Sequence, residues 1–305
     1  MNGTGRRSSF VVRGSSLFVL SFQFFVLSSA SAGAQTPIAE LKANLERRVQ
    51  AIAGGVDGVV GYAIVDLTSG ERITRLETAA FPTASAIKLA IVYELFTQAG
   101  EKTIDLDERL TLDRRRAVGG TGVLVEMGTP TLSIRDYAVL MVTLSDNTAT
   151  NVLIDTLGME KITARMRGLG LNGTKLRRHM MDTAAAKRGD ENVSTPDELA
   201  RLLKAMHDGM PEAIALLKKP KENRLRRGLP EGVASADKSG ELEGVRVDAG
   251  IVYAKNRPYV LSVMTTFLKD EAEGERAIVE ISRTAYEYFS RLGAGGALGR
   301  LNGEF

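Results

Sequence analysis

Residues 81–96 of this 305-residue chain read Phe-Pro-Thr-Ala-Ser-Ala-Ile-Lys-Leu-Ala-Ile-Val-Tyr-Glu-Leu-Phe. Apolar residues recur there at spacings of three and four, which predicts a helix buried on most of its circumference. Pro82 and Thr83 are typical of a helix start. Ser85 and Lys88 interrupt the apolar pattern and, being three residues apart, share one face. We therefore expect the fold to be organised around a buried helix that carries a serine and a lysine.

This pair has the chemistry of an activated nucleophile. A lysine among apolar neighbours loses hydration, so its pKa falls and a neutral amine becomes available to take a proton. A serine at a helix N-terminus lies where free backbone N–H groups can hold a developing oxyanion. The pattern Ser-x-x-Lys also occurs at Ser235 to Lys238, and a motif this short is a weak signal alone.

The N-terminus has the pattern of a secretory signal peptide. Arg6, Arg7 and Arg13 precede an apolar run at residues 17–27, and small residues follow to position 34. This pattern predicts a signal peptide over residues 1–34, with cleavage after Ala32 or Ala34. A retained N-terminal anchor is the alternative. We expect an exported protein, periplasmic or secreted, without stable membrane insertion.

Charge and composition exclude several classes of protein. The chain has 40 Lys and Arg against 37 Asp and Glu, and residues 1–34 contain three arginines and no acid. The remainder is formally neutral, so no nucleic-acid partner is expected, and the basic run at residues 218–227 is interpreted as solvated. With no cysteine and only two histidines, thiol chemistry and zinc–thiolate sites are excluded. We expect no metal and no cofactor.

Periodicity along the chain predicts an α/β (α+β) fold. The order is helix, hairpin, a block of helices, hairpin, helix, with capping boxes at Ser133 and Thr195. Such an order predicts an antiparallel sheet flanked by the N- and C-terminal helices, with an inserted all-helical lobe. We expect one catalytic domain over residues 35–305, with a sheet lobe (35–82 plus 225–305) and a helical lobe (83–224). The predicted helices cover residues 37–53 and 272–292, and the predicted strands cover residues 59–67, 72–76, 245–254 and 259–267.

Two further motifs could complete a site around Ser85. Ser145-Asp-Asn147 lies where one apolar helix ends and another begins, and offers a hydroxyl for proton relay and an amide for orientation. Its alternative interpretation is a helix N-cap. Lys238-Ser-Gly240 precedes a predicted strand and suits an edge strand that binds a carboxylate, although an ordinary polar turn has the same composition.

Taken in order, the three motifs resemble those of class A β-lactamases and penicillin-binding proteins. The resemblance covers nearly the whole chain after residue 34 and implies that family's fold and roles. Ser85 would be the acylated nucleophile, with Lys88 as its base or proton relay. Ser145 would pass the proton to the leaving nitrogen, and Asn147 would bind the substrate amide.

The third motif implies the groups that bind substrate. Lys238 and Ser239 would hold the substrate carboxylate, while Gly240 permits close approach of the backbone. The oxyanion hole would consist of the backbone N–H groups of Ser85 and Glu241.

The chain departs from the class A pattern at the step that releases the product. Class A enzymes carry a glutamate, followed closely by Leu-Asn, that activates the deacylating water, and residues 176–196 contain no such sequence. Asp182 is the expected stand-in, with Glu191 and Asp190 as other nearby acids, and each could equally be a surface or loop-neck carboxylate. Arg246 could be an additional arginine for the substrate carboxylate, or a solvated strand arginine.

Three functions remain open at this point. The first is a β-lactamase, and the second is a D-alanyl-D-alanine peptidase that acts on cell-wall peptide. The third and weakest is a β-lactam sensor that stays acylated. We expect a monomer whose partner is a small-molecule β-lactam or cell-wall peptide.

Overall fold

The computed structural model describes residues 36–296, together with Met1, Gly3 and Arg300. The predicted signal peptide, residues 1–34, lies outside the described residues except for Met1 and Gly3 and stays a prediction. Of the helices in the described part, none combines the length and the apolar character needed to cross a membrane.

A five-stranded antiparallel sheet forms the base of the fold, in the order β2-β1-β9-β8-β7. Two short antiparallel pairs, β3 with β6 and β4 with β5, lie outside it. The strands of the described residues are β1 (Val59–Asp66), β2 (Arg72–Arg75), β3 (Phe81–Pro82), β4 (Arg109–Thr111), β5 (Thr131–Ser133), β6 (Val193–Ser194), β7 (Ser235–Leu242), β8 (Val245–Val252) and β9 (Tyr259–Thr266).

Helices cover both faces of the sheet. The first and last helices pack against each other and one face, where the short helix at residues 224–227 joins them, while the other intervening helices form a lobe on the opposite side. The helices of the described residues are α1 (Pro37–Gly54), α2 (Lys88–Gly100), α3 (Ile134–Thr143), α4 (Asn147–Leu157), α5 (Met159–Gly168), α6 (Thr183–Lys187), α7 (Pro196–Gly209), α8 (Pro211–Leu217), α9 (Arg224–Arg227) and α10 (Glu271–Ala294).

The alternation of side chains along β1 explains the two-sided core. Val60, Tyr62 and Ile64 pack in the cluster beneath α1 and α10. Ala63 and Val65 point to the opposite face and join the core of the helical lobe. A strand that is buried on both faces in this way fixes its own register, because a slip of one residue would exchange the two sets.

The predicted buried helix exists, but it begins later than expected. Helix α2 packs against α4, α5, α7 and α8, and Lys88 is its first residue. A 3₁₀ turn, Ala84–Ile87, precedes it. Helical backbone does follow Pro82 and Thr83 as expected, with Thr83 as the N-cap, but its first turn is 3₁₀ and the Thr83 side chain makes no capping bond. Pro82 belongs to β3, and the Thr83 N–H donates to Asn192 O at 2.9 Å.

The sequence-based fold class is confirmed, and the two predicted capping boxes differ from each other in detail. The reciprocal capping box at Ser133 is present. At Thr195 the hydroxyl does cap α7, but the Glu198 carboxylate accepts instead from the Gly173 N–H and the Thr174 hydroxyl. The lobe boundaries at residues 82 and 224 stay a prediction.

Candidate active site

One cavity of about 830 Å³ brings the three motifs together. It lies between the free edge of β7, the turn before α2 and the connection from α3 to α4. Its walls also include residues of the 176–194 segment. The motif residues that line it are Ser85, Ser145, Asn147, Lys238, Ser239, Gly240 and Glu241.

The backbone presents Ser85 at the mouth of α2. Ser85 lies in the 3₁₀ turn, directly after Ala84, whose φ of 46° is unusual for a residue with a side chain. Strand β7 runs close to this turn at Gly240. A Cβ added to Gly240 would lie 2.8 Å from Ser85 N and 2.5 Å from Thr83 O. Only glycine permits this approach, and it places the β7 backbone beside the Ser85 N–H.

Lys88 is fully buried behind the serine. Its Nζ lies 2.9 Å from Ser145 Oγ, 2.7 Å from Ser145 O and 3.2 Å from Asn147 Oδ1. Burial holds the pKa of Lys88 well below its ordinary value, and the nearby charge of Lys238 lowers it further. A neutral Lys88 amine has a lone pair that can accept a proton and N–H groups that can pass one to Ser145.

The Ser145–Asn147 segment is held in place by its central residue. Ser145 has a φ of 52°. The Asp146 carboxylate caps α4 through the Ala149 N–H at 2.8 Å, and also accepts from the N–H groups of Val123 and Leu124. The N-cap interpretation therefore applies to Asp146, and it leaves Ser145 directed at Lys88.

Lys238, on β7, supplies a buried cation. Burial, followed by the charge of Lys221, lowers its pKa to about 8. Its Nζ donates to Ser239 O at 2.8 Å, and both side chains belong to the cavity lining. A positive charge beside a hydroxyl at a free strand edge can bind a carboxylate.

Arg224 also lines the cavity, and sequence reasoning missed it. Its side chain is only 8% exposed and pairs with Asp248 on β8, with Nε 3.3 Å from Oδ2. The expectation that residues 218–227 are solvated is wrong at this position. The available signal was Asp248, because an acid inside an apolar strand must find a cation when it is buried.

Arg246 does not lie in this cavity. Its guanidinium pairs with Glu271 at 2.7 Å and with Glu275 at 3.0 Å, both on α10. These ion pairs engage the guanidinium with α10, and its expected role in binding the carboxylate stays a prediction. The side chain is only 11% exposed, so it is not freely solvated.

Each acid expected to replace the missing glutamate is engaged within its own segment. Asp182 is the N-cap of α6, accepts from the Ala185 N–H at 2.9 Å and is absent from the cavity lining. Glu191 does line the cavity, but both of its carboxylate oxygens contact Arg178 Nη2, at 2.9 and 3.2 Å. Asp190 pairs with Arg188. Capping α6 engages Oδ1 of Asp182, and the expected role of Asp182 as the base for deacylation stays a prediction.

The described residues contain no group of three or more acids, histidines or cysteines arranged to hold a metal ion. The chemical groups of the cavity include serine hydroxyls, lysine amines of lowered pKa, the guanidinium groups of Arg178 and Arg224, and carboxylates such as that of Glu191.

Comparisons with known proteins indicate one family. A family model described as the beta-lactamase enzyme family matches residues 44–289. Beta-lactamase SME-1 of Serratia marcescens is 26% identical over 258 residues, which cover 79% of this chain and 87% of that protein.

Solved structures show the same likeness. A beta-lactamase from Sphaerobacter thermophilus DSM 20745 is 29% identical with a TM-score of 0.73, covering 80% of this chain and 96% of the other. A mutant of PBP-A, solved as an acyl-enzyme complex with penicillin G, is 27% identical with a TM-score of 0.74, covering 81% and 96%. The family match spans most of the chain, and it confirms the resemblance first indicated by the three motifs: this chain belongs to the beta-lactamase enzyme family.

Proposed function

We propose that the protein is a serine hydrolase that opens β-lactam amides through an acyl-enzyme on Ser85. The observation that carries this proposal is the buried Lys88 amine, which lies 2.9 Å from Ser145 Oγ, since Ser145 and Ser85 line the same cavity. A buried lysine with a lowered pKa that contacts one serine hydroxyl and lies one helical turn after another serine is suited to moving protons between them.

Acylation then follows from the positions of these groups. Lys88 Nζ takes the proton of the Ser85 hydroxyl as Ser85 Oγ attacks the lactam carbonyl carbon. The carbonyl oxygen becomes an oxyanion, which the N–H groups of Ser85 and Glu241 stabilise. When the C–N bond breaks, Ser145 gives its hydroxyl proton to the leaving nitrogen and recovers one from Lys88. The result is an ester on Ser85 and a neutral amine on Lys88.

Four other lining residues are proposed to orient the substrate. Lys238, Ser239 and Arg224 form a positively charged end of the cavity that suits the carboxylate of a β-lactam. Asn147 Nδ2 donates to Gly119 O at 3.0 Å, and its amide is proposed to bind the substrate's acyl amide.

We propose further that hydrolysis of the ester is the slow step. Within the described segment 176–194, the carboxylates are committed to a helix cap or to arginines. General base catalysis typically contributes about 10²–10⁴ in rate, so a site that lacks a free base should accumulate the acyl-enzyme.

A burst experiment with a chromogenic cephalosporin tests this proposal. We expect a burst equal to the enzyme concentration, followed by a slow steady state. Asp182→Asn should leave the burst unchanged. A linear course with fast turnover would contradict slow deacylation. A steady state that slows in folded Asp182→Asn or Glu191→Gln protein, with the burst intact, would identify the replaced residue as the base.

A D-alanyl-D-alanine peptidase is the alternative function. A D-alanyl-D-alanine peptidase acylates in the same way, and the engaged carboxylates of the loop fit an enzyme that is trapped by β-lactams. Release of D-alanine from a peptide ending in D-Ala-D-Ala, faster than penicillin turnover, would favour this function over the first.

We also propose that the protein is exported and that residues 1–34 are removed. The support is the sequence pattern of Arg6, Arg7 and Arg13 followed by the apolar run at residues 17–27. An exported enzyme of this activity would contribute to antibiotic resistance by meeting β-lactams outside the cytoplasm.

A further inference from the structure

Arg224 connects three parts of the site through separate nitrogens. Nε lies 3.3 Å from Asp248 Oδ2, Nη1 lies 3.2 Å from Glu241 Oε2, and Nη2 donates to Gly240 O at 3.2 Å. The last contact is to the backbone of β7, not to a side chain. A guanidinium can hold several acceptors at once because its donors form a rigid planar fork.

The Gly240 carbonyl belongs to the same peptide group as the Glu241 N–H. A trans peptide is planar, and its C=O and N–H point in opposite directions. Gly240 is paired with Val247 of β8, and Arg224 adds a hydrogen bond to the Gly240 carbonyl on that side. The Glu241 N–H then points the other way, towards the free edge of β7. This N–H is one of the two proposed oxyanion donors, so its direction depends on the bond from Arg224 to Gly240 O as well as on the strand pairing.

Asp248 in turn anchors Arg224. Its side chain is 1% exposed, and Oδ2 accepts from the Leu225 N–H at 3.1 Å as well as from Arg224 Nε. The other acids near the guanidinium are less confined. Glu241 is 59% exposed, and Glu275 lies 3.6 Å away and is 31% exposed. Exposed ion pairs of this kind contribute little to holding a side chain in place. The buried Asp248 is therefore the main anchor of the Arg224 guanidinium.

We propose that Asp248 is a positioning residue for the oxyanion hole: it fixes Arg224, and Arg224 fixes the Gly240–Glu241 peptide. The proposal rests on the proposed function of Ser85 and adds a role to two residues that otherwise serve only the carboxylate end of the cavity. If it is correct, replacing Asp248 or Arg224 should weaken the binding even of ligands that have no carboxylate.

Phenylboronic acid separates the two roles, because it carries no carboxylate. Ser85 Oγ adds to boron, the hydroxyl proton leaves through Lys88, and a B–OH group of the tetrahedral adduct occupies the oxyanion position. Losing one oxyanion donor typically costs about 10²–10³ in rate, so displacing one should weaken the boronate by about tenfold. We expect Asp248→Ala to show this loss. Asp248→Asn should bind close to the wild type, because the amide oxygen can still accept from Arg224 and Leu225.

Arg224→Lys provides a second test, should Asp248→Ala fail to fold. A lysine keeps the charge but cannot reach both Asp248 and Gly240 O, so the same loss of boronate affinity is expected. Arg227→Lys is the matched control, since Arg227 lies on the same short helix with an exposed side chain paired to Glu275. Thermal melting of each variant establishes folding.

The outcomes are distinguishable. Wild-type boronate affinity in folded Asp248→Ala or Arg224→Lys protein overturns the proposal. So does an equal loss in Asp248→Asn and Asp248→Ala, because the accepting oxygen would then not be the anchor. Boronate binding that survives in Ser85→Ala would instead refute the proposed function itself.

Discussion

Replacing Gly240 with alanine should damage catalysis more than stability. The new Cβ would lie 2.5 Å from Thr83 O, 2.8 Å from Ser85 N and 2.9 Å from Ala86 N. All three are backbone atoms, so no flexible side chain can move aside. Either β7 or the 3₁₀ turn must shift, and overpacking of this kind costs about 1–3 kcal/mol. Either shift separates the two oxyanion donors, because the Ser85 N–H belongs to the turn and the Glu241 N–H belongs to β7.

The expected kinetic effect follows from that separation. Misplacing one donor should slow acylation by about 10–100-fold, less than the 10²–10³ typical of removing it. The assay is the single-turnover acylation rate with a chromogenic cephalosporin, beside urea denaturation of the same protein. Gly168→Ala is the matched control, because a Cβ there meets nothing within 4 Å. It should leave acylation unchanged. Wild-type acylation in Gly240→Ala protein would refute the close packing of β7 on the Ser85 turn.

Two further predictions concern Asp248 and the N-terminus. Burial raises the pKa of Asp248 from 3.8 to about 7. The protonated carboxyl therefore contributes fully to the free energy of unfolding below pH 4, and this contribution is lost as pH rises through 7. At about 1.4 kcal/mol per pKa unit, the loss is on the order of 4 kcal/mol. Asp248→Asn cannot titrate, so urea denaturation should show it gaining stability relative to the wild type between pH 4 and pH 8, and a constant difference would contradict this. N-terminal sequencing of protein recovered from an exporting cell should begin at Gly33 or Gln35, whereas Met1 on the mature species would identify an anchor.

The fold was accessible from the sequence where periodicity was strong. Strands β8 and β9 and helices α1 and α10 have apolar patterns, and their predicted ends lie within two residues of the observed ones. Strand β7 has no such pattern, because it places Lys238 and Asp237 in buried positions. Its polar sequence fits an ordinary turn equally well. Only the functional interpretation of Lys238-Ser-Gly240 indicated an edge strand there.

The candidate site was accessible where chemistry required a rare residue type. Lys88 was identifiable because a lysine on an apolar helix is unusual. Arg224 was not, because it lies in a basic run, and its burial depends on Asp248 from a strand 24 residues away. The contacts made by Asp182 and Glu191 also depend on the tertiary structure. Nothing in the sequence shows that Glu191 would face Arg178 while Asp182 would cap a five-residue helix.

Intact-mass analysis after incubation with penicillin shows whether Ser85 is the residue that is acylated. We expect one covalent adduct on the wild-type protein, persisting over the time of the slow steady state. Ser85→Ala should form no adduct, while Ser235→Ala, which alters the serine of the other Ser-x-x-Lys sequence, should form it as the wild type does. An adduct that persists in folded Ser85→Ala protein would contradict the assignment of Ser85 as the nucleophile.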